Sequence, residues 1–354
     1  MTESVDINEA HSILITGGSG FLGKAMVKEL LDPKPLVTPK EIRIFDTREY
    51  DGPKDERIKI IHGNVCDYES LETATKGIDI VIHSAAIVDW GTHDEKEVYE
   101  VNYTGTENVI RACLENKVRI LIYTGSLDAV YTGKPLVDIT EDQPYPDKHP
   151  NMYCESKALA EVAVMKANGD GLKTCVLRPS DIYGEADPFH MDSLINMVKS
   201  GFYVRLGNGK AKNQHVYVGN MADAHLQAAR SLLGNNQKTE GNIYFITDGP
   251  GENFFTFFDP IVEQSGYTIW PKNFWLPRPI AFFIGSLSEL FAVLFRPIKK
   301  YNPKFSRFAV TYTCTDFTYS SDKAEKDFGF KPKYDSKEAR ERTAAYYRQQ
   351  KIKS

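Results

Sequence analysis

Between residues 12 and 184, short apolar runs alternate with longer stretches in which apolar residues return every three or four positions. The runs predict strands over 13–16, 42–46, 58–61, 78–83, 119–124 and 172–178. Helical patterns fall between most of them, the clearest over 95–115 and 151–167. Strands that are apolar throughout, separated by amphipathic helices, specify a parallel sheet covered on both faces. After residue 184 the rhythm breaks: 185–215 holds Pro188, His190 and a Gly207-Asn208-Gly209 turn, and beyond about 249 aromatics and prolines concentrate. Between those regions, 215–233 reads as a helix and 242–247 as a strand. The expected architecture is α/β: a doubly wound parallel sheet from 10–184 plus 215–248, with a smaller C-terminal α+β substrate lobe from 185–214 plus 249–345.

The first strand runs into Thr16-Gly17-Gly18-Ser19-Gly20-Phe21-Leu22-Gly23, and a helical pattern starts at Phe21. Glycines where a strand turns into a helix let backbone approach a pyrophosphate, which the free helix N–H groups can hold. Asp46 closes the next strand, 23 residues past Gly23. A carboxylate there accepts hydrogen bonds from the adenosine ribose and repels a 2′-phosphate, so NAD is expected over NADP, with Arg48 as the feature favouring NADP. This makes the sheet Rossmann-type. Asn64 and Val65, with Asp67, follow the third strand and are expected along the adenine. Ala85 and Ala86 end the fourth strand in small residues along the cofactor. Asn102 lies within a long helix, where bracing the sheet and serving the cofactor are equal alternatives.

The fifth strand delivers Gly125-Ser126 to its carboxyl end, where ligands of open α/β sheets bind. Tyr153-Cys154-Glu155-Ser156-Lys157 follows, with the tyrosine and lysine one helical turn apart on one face. Oxidising an alcohol requires removing its proton as hydride leaves its carbon. A free phenol has a pKa of about 10, so working near neutrality means lowering it by about 3, roughly 4 kcal/mol. A lysine ammonium and a positive nicotinamide ring can supply that stabilisation. The expectation is Tyr153 as general base, Lys157 as its electrostatic partner and a ribose contact, and Ser126 as the group orienting the substrate oxygen.

Composition narrows the field. The chain has 354 residues, 42% of them apolar, and a net charge of −5, so no global basic field draws in nucleic acid. Five cysteines, odd in number and scattered, argue for reduced thiols and against a zinc site. The opening Met1-Thr2-Glu3-Ser4-Val5-Asp6 lacks the features of a secretory signal, and a cytoplasmic location is expected.

The motifs at 16–23, Asp46, 83–86, 123–126, 153–157 and Arg178-Pro179-Ser180-Asp181-Ile182-Tyr183-Gly184 together resemble an extended short-chain dehydrogenase/reductase. That last stretch, His215-Val216-Tyr217-Val218-Gly219-Asn220 and the proline-flanked apolar segment near 280–297 are similar to the 3β-hydroxysteroid dehydrogenase branch, over roughly 10–345. The resemblance implies NAD-dependent oxidation of a 3β-hydroxyl on a steroid or sterol-like substrate. It adds Pro179 as a nicotinamide contact and a homodimer as the assembly. Gly125 departs from the family, which more often has serine there. Isomerase activity needs a further acid/base pair that the sequence does not locate.

The alternatives keep the same site: a decarboxylating 4-carboxysterol 3-dehydrogenase, a 2-alkyl-3-oxoacid reductase, or a sugar-nucleotide epimerase or dehydratase. A redox-sensing NAD-binding protein without turnover is the reading from another class; an intact Ser126, Tyr153 and Lys157 argues against it. The segment 280–295 is apolar over 16 residues, with Pro277 and Pro279 before it and Arg296, Lys299 and Lys300 after it. A span wants about 20 such residues, and Glu289 in its middle costs roughly 2.5–3.5 kcal/mol on insertion. Two expectations remain: a buried helix walling the substrate pocket, or a helix making peripheral membrane contact.

Overall fold

The computed structural model describes residues 9–89, 93–169, 171–295 and 306–353. In chain order its strands are β1 (His11–Thr16), β2 (Pro39–Asp46), β3 (Ile58–His62), β4 (Ile80–His83), β5 (Ile120–Thr124), β6 (Leu136–Ile139), β7 (Lys173–Pro179), β8 (Asp181–Tyr183), β9 (Arg205–Leu206), β10 (His215–Tyr217), β11 (Asn242–Ile246), β12 (Trp275–Leu276) and β13 (Phe317–Tyr319). Seven of them form one sheet in the order β3-β2-β1-β4-β5-β7-β11, with every neighbouring pair parallel. These are the seven strands expected from the hydropathy pattern. The chain winds outward from β1 to β3, then returns to β4 on the other side of β1. Strand order reverses there, and ligands of such sheets bind at the carboxyl ends beside that reversal.

Side-chain alternation explains the layering. On one face, Ile13, Ile15, Ile42, Ile44, Ile80, Ile82, Ile120 and Ile122 pack with α1 (Phe21–Leu30) and a later helix over Val218–Leu233. On the other, Leu14, Phe45, Val81, Leu121, Tyr123 and Val176 pack with α2 (Tyr68–Thr75) and two further helices. Ile13, Ile15, Ile82 and Ile122 have no exposed surface, so truncating any one to alanine is expected to cost about 2–5 kcal/mol. The helix expected over 95–115 is α3 (Glu95–Tyr99) and α4 (Gly105–Glu115), joined by a π-helical turn at Glu100–Thr104. The next, α5 (Met152–Lys166), is capped by Asn151, whose side chain accepts from Cys154 N.

The remaining helices are α6 (His190–Lys199), α7 (Val218–Leu233), α8 (Phe254–Gln264), α9 (Arg278–Phe295), α10 (Arg307–Thr313), α11 (Asp322–Phe328) and α12 (Ser336–Lys353). Three short parallel pairs, β6–β13, β8–β10 and β9–β12, form separate two-stranded sheets among them. The phenylalanine-rich run at 254–258 is α8, with Phe254, Phe255, Phe257 and Phe258 buried.

Candidate active site

The glycine turn is shaped by contact. Gly17 has φ 72°, and a Cβ there would meet Ala85 N at 2.8 Å; one on Gly23 would meet Gly17 O at 2.3 Å. Both glycines therefore maintain a backbone cradle that any side chain would fill. The α1 helix begins from Gly20 without a side-chain cap, leaving its first N–H groups for an anion. Asp46 sits beside the turn, accepting from Ser19 N and Arg48 N, each at 3.0 Å. The Arg48 guanidinium turns back onto that carboxylate, with Nε 3.3 Å from Oδ1.

Gly17, Gly20, Phe21, Leu22, Gly23, Asp46, Asn64, Val65, Ala85, Ala86 and Pro179 all line one cleft of about 510 Å³, which also contains Ser126, Tyr153 and Lys157. A glycine cradle, a helix N-terminus and the Asp46 carboxylate lining one cleft fit a dinucleotide. Two expected contacts lie elsewhere. Asp67 caps α2, accepting from Ser70 N at 3.4 Å. Asn102 stands behind the cleft, bonding Ile87 N at 2.8 Å, Ile87 O at 3.0 Å and Ser156 Oγ at 3.2 Å. That uses its amide to tie the loop after β4 to α5. A larger open depression of about 750 Å³, lined by Glu29, Asp223 and Lys333 among others, contains none of the candidate site residues.

At the reacting end, Lys157 is 2% exposed and donates from Nζ to Thr124 O at 2.7 Å. Burial brings its pKa down to about 7, while Glu161 and Asp128 oppose the fall. Tyr153 is buried at the same end. Burial first, and then the Asp128 carboxylate, push its phenol well above the ordinary range, while hydrogen bonding with Ser126 works the other way. The Ser126 hydroxyl donates to Asp128 Oδ2 at 2.9 Å and accepts from Asp128 N at 3.1 Å.

Gly125 also has a local cause. A Cβ there would lie 2.9 Å from Val176 Cγ1 and 3.0 Å from Glu161 Oε2. Glu161 is held in place by Arg178, whose Nε reaches its two oxygens at 3.0 and 3.1 Å, and by Tyr145 Oη at 2.6 Å. A serine side chain would press into this buried ion pair.

Sequence reasoning missed four lining groups: Asp128, Asp181, His190 and Tyr312. Tyr312 donates to Asp181 Oδ1 at 2.6 Å, and His190 Nε2 lies 3.9 Å from Asp181 Oδ2. Burial would lower His190, but Asp187 and Asp181 outweigh it and raise the imidazole to about 9. A carboxylate two residues past the strand-end serine was the available signal for Asp128.

Phe189, His190 and Tyr312 also line a second cavity of about 430 Å³, completed by residues such as Leu194, Met197, Leu206, Phe254, Phe255 and Phe308. Its walls are almost wholly apolar. The α10 residues Phe308, Ala309, Tyr312 and Thr313 form one side, and among the described residues none of its lining comes from α9. The expectation that 280–295 walls the pocket directly is corrected accordingly. Instead α9 packs on α10 and leaves Ile280, Phe283, Leu290, Phe291 and Leu294 each more than half exposed. Among the described residues, no helix is long and apolar enough to cross a membrane. The basic positions expected beyond α9, Arg296, Lys299 and Lys300, lie outside the described residues.

The fold and cleft define an extended short-chain dehydrogenase/reductase, an NAD-dependent oxidoreductase. Residues 14–278 match the model of the 3-beta hydroxysteroid dehydrogenase/isomerase family, and the chain belongs to that family. It is 35% identical to human 3 beta-hydroxysteroid dehydrogenase type 7 over 349 residues, covering 93% of this chain and 94% of the relative. The mouse protein of the same name is 33% identical over 347 residues, again 93% and 94% of the two chains. Among solved structures, UDP-glucose 4-epimerase from Thermotoga maritima superposes with a TM-score of 0.72 at 19% identity, over 96% of this chain and 99% of that one. The dTDP-glucose 4,6-dehydratase of Streptomyces venezuelae gives 0.73 at 19%, over 96% and 98%. At those identities the likeness concerns the fold.

Proposed function

We propose that the chain oxidises the 3β-hydroxyl of a sterol-like ring system to the ketone, with Tyr153 as general base. The observation that carries this reading is the apolar cavity of about 430 Å³ sharing Phe189, His190 and Tyr312 with the cleft. A rigid, largely apolar ring system suits such walls, whereas a sugar nucleotide would leave its charges and hydroxyls facing phenylalanine and leucine. Residues 185–214 and 249–345 then form the substrate lobe above the dinucleotide domain. Glycines 17, 20 and 23 hold the pyrophosphate, Asp46 the adenosine ribose, and Pro179 the nicotinamide end.

NAD bound in the cleft supplies the hydride acceptor. Tyr153 takes the hydroxyl proton, Lys157 holds its ammonium beside the ribose and Thr124 O, and Asp181 with Tyr312 borders the pocket mouth. The human and mouse relatives carry a steroid dehydrogenase name, which supports the substrate class. We further infer that α9 makes peripheral contact with a bilayer through Ile280, Phe283, Leu290, Phe291 and Leu294, since single exposed apolar residues are ordinary but such a row on one helix is not.

The test is a panel of 3β-hydroxysteroids, 4-carboxysterols and UDP-sugars, each with NAD and NADP, followed by absorbance of the reduced cofactor. Turnover of a sterol with NAD is expected, and Tyr153→Phe is expected to lower it by about 10³-fold or more while NAD still binds. Turnover of UDP-sugars alone, or an undiminished Tyr153→Phe variant, would overturn the assignment.

A further inference from the structure

We infer that His83, fully buried at the end of β4, is a positioning residue that fixes the helix carrying Tyr153 against the glycine turn. This extends the reading of Tyr153 as the base and rests on it. A run of buried hydrogen bonds passes through the imidazole. On one side Thr16 Oγ1 lies 2.6 Å from His83 Nδ1; on the other, Thr106 Oγ1 lies 2.9 Å from Nε2. Backbone groups that can play only one part settle which atom donates. The Asn102 carbonyl can only accept, so the hydroxyl hydrogen of Thr106, 2.6 Å away, goes to it. His83 Nε2 must then donate to Thr106, which leaves Nδ1 as the acceptor of the Thr16 hydrogen. Thr16 Oγ1 in turn accepts from Ala85 N at 3.3 Å.

From Asn102 the run continues to α5. Ile87 N can only donate, so the Asn102 side-chain oxygen faces it and the amide nitrogen faces Ser156 Oγ at 3.2 Å. The Ser156 hydrogen goes to Tyr153 O at 2.9 Å. Each hydroxyl along the way donates once, and no hydrogen is left over. Thr16, His83, Thr106 and Ser156 have no exposed surface, so water cannot replace a lost partner. The π-helical turn at Glu100–Thr104 lies where the run crosses from the sheet to α5.

The two ends give this run its use. Ala85 is the backbone against which Gly17 closes the cradle, and Tyr153 stands one turn from Lys157. His83 therefore joins the wall that receives the dinucleotide to the helix that must present a phenol to it. Only one form of the ring completes the run, the neutral one with its hydrogen on Nε2. Burial, and then the Lys157 ammonium, bring its pKa down to about 3, so the neutral form prevails near neutrality. The Tyr123 ring neighbours both groups, with its centroid 5.4 Å from the imidazole and 4.4 Å from Lys157 Nζ.

His83→Leu keeps much of the bulk and removes both bonds. It is expected to lower kcat by about 10²-fold, the scale of a misplaced reacting group. The KM for the sterol should stay within about twofold, since no member of the run lines the apolar cavity. His83→Gln, which can offer one donor and one acceptor, is expected to recover about 10-fold of the loss. Thr16→Val and Ser156→Ala alter opposite ends of the run. If His83 couples them, the double variant should lose scarcely more kcat than the worse single one, whereas independent packing sites would multiply their losses. Nitrogen NMR of the unsubstituted protein should show His83 neutral and protonated on Nε2. A ring protonated on Nδ1, a His83→Leu enzyme within threefold of the parent kcat, or multiplied losses in the double variant would each overturn the proposal. Should His83→Leu fail to fold, the tautomer and the Thr16/Ser156 pair still decide it. An active Tyr153→Phe would instead bring down the base, and it would leave the His83 tautomer as it is.

Discussion

The dinucleotide cleft and the apolar cavity share Phe189, His190 and Tyr312 but are built from different material. The cleft is held by strand ends, a glycine cradle with φ 72° at Gly17, and buried charge locked beneath it by Arg178 and Glu161. The cavity is enclosed by α6, α8 and α10, whose side chains meet through apolar contact. Backbone and paired charges tolerate almost no substitution, because each alternative leaves a clash or a stranded ion. Apolar walls exchange volume with modest cost. The cleft is thereby the half that resists substitution and the cavity the half that accepts it.

That contrast can be broken most forcefully from below. Glu161→Ala strands the Arg178 guanidinium in the interior and is expected to cost about 3–5 kcal/mol, read as a lower urea midpoint with loss of NAD binding. A variant as stable as the parent would show that the cleft does not depend on this pair. A middle-sized effect is expected at the cavity: Phe308→Ala should raise KM for the sterol about 10-fold or more by removing roughly 1.5–3 kcal/mol of apolar contact, while NAD affinity stays put. An equal loss of both affinities would mean the two halves are not separable. The smallest effect on stability is expected on α9, where Phe283→Ser, Leu290→Ser and Leu294→Ser should each shift unfolding by no more than about 0.5 kcal/mol, and combined should abolish flotation with liposomes. Retained flotation would remove α9 as the membrane contact.

The cleft was the more legible half because its chemistry is local in sequence. Gly17 to Gly23, Asp46, Ser126 and Tyr153 with Lys157 sit at strand ends or one helical turn apart, and the sheet's apolar alternation fixes where those ends lie. The cavity was not legible, since Leu194, Phe254 and Phe308 meet only through tertiary packing and carry no periodic signal beyond that of ordinary core. Asp128 and Asp181 were hidden for another reason. A carboxylate's role depends on what faces it, and Tyr312 comes to Asp181 from 131 residues away. Asn102 and Asp67 show the converse: polar residues near a motif turned out to be spent on a loop tie and a helix cap.

Gly285 has a consequence for how the outer rim behaves. A Cβ on it would stand 3.0 Å from Arg307 N and from Ser306 C, so α9 and the first turn of α10 are pressed backbone to backbone, and Glu289 clamps Arg307 from the same side. The exposed apolar helix and the α10 wall of the cavity are thus held as one unit. A larger residue at 285 is therefore expected to part the two helices and displace Phe308 and Tyr312, without any substitution inside the cavity itself.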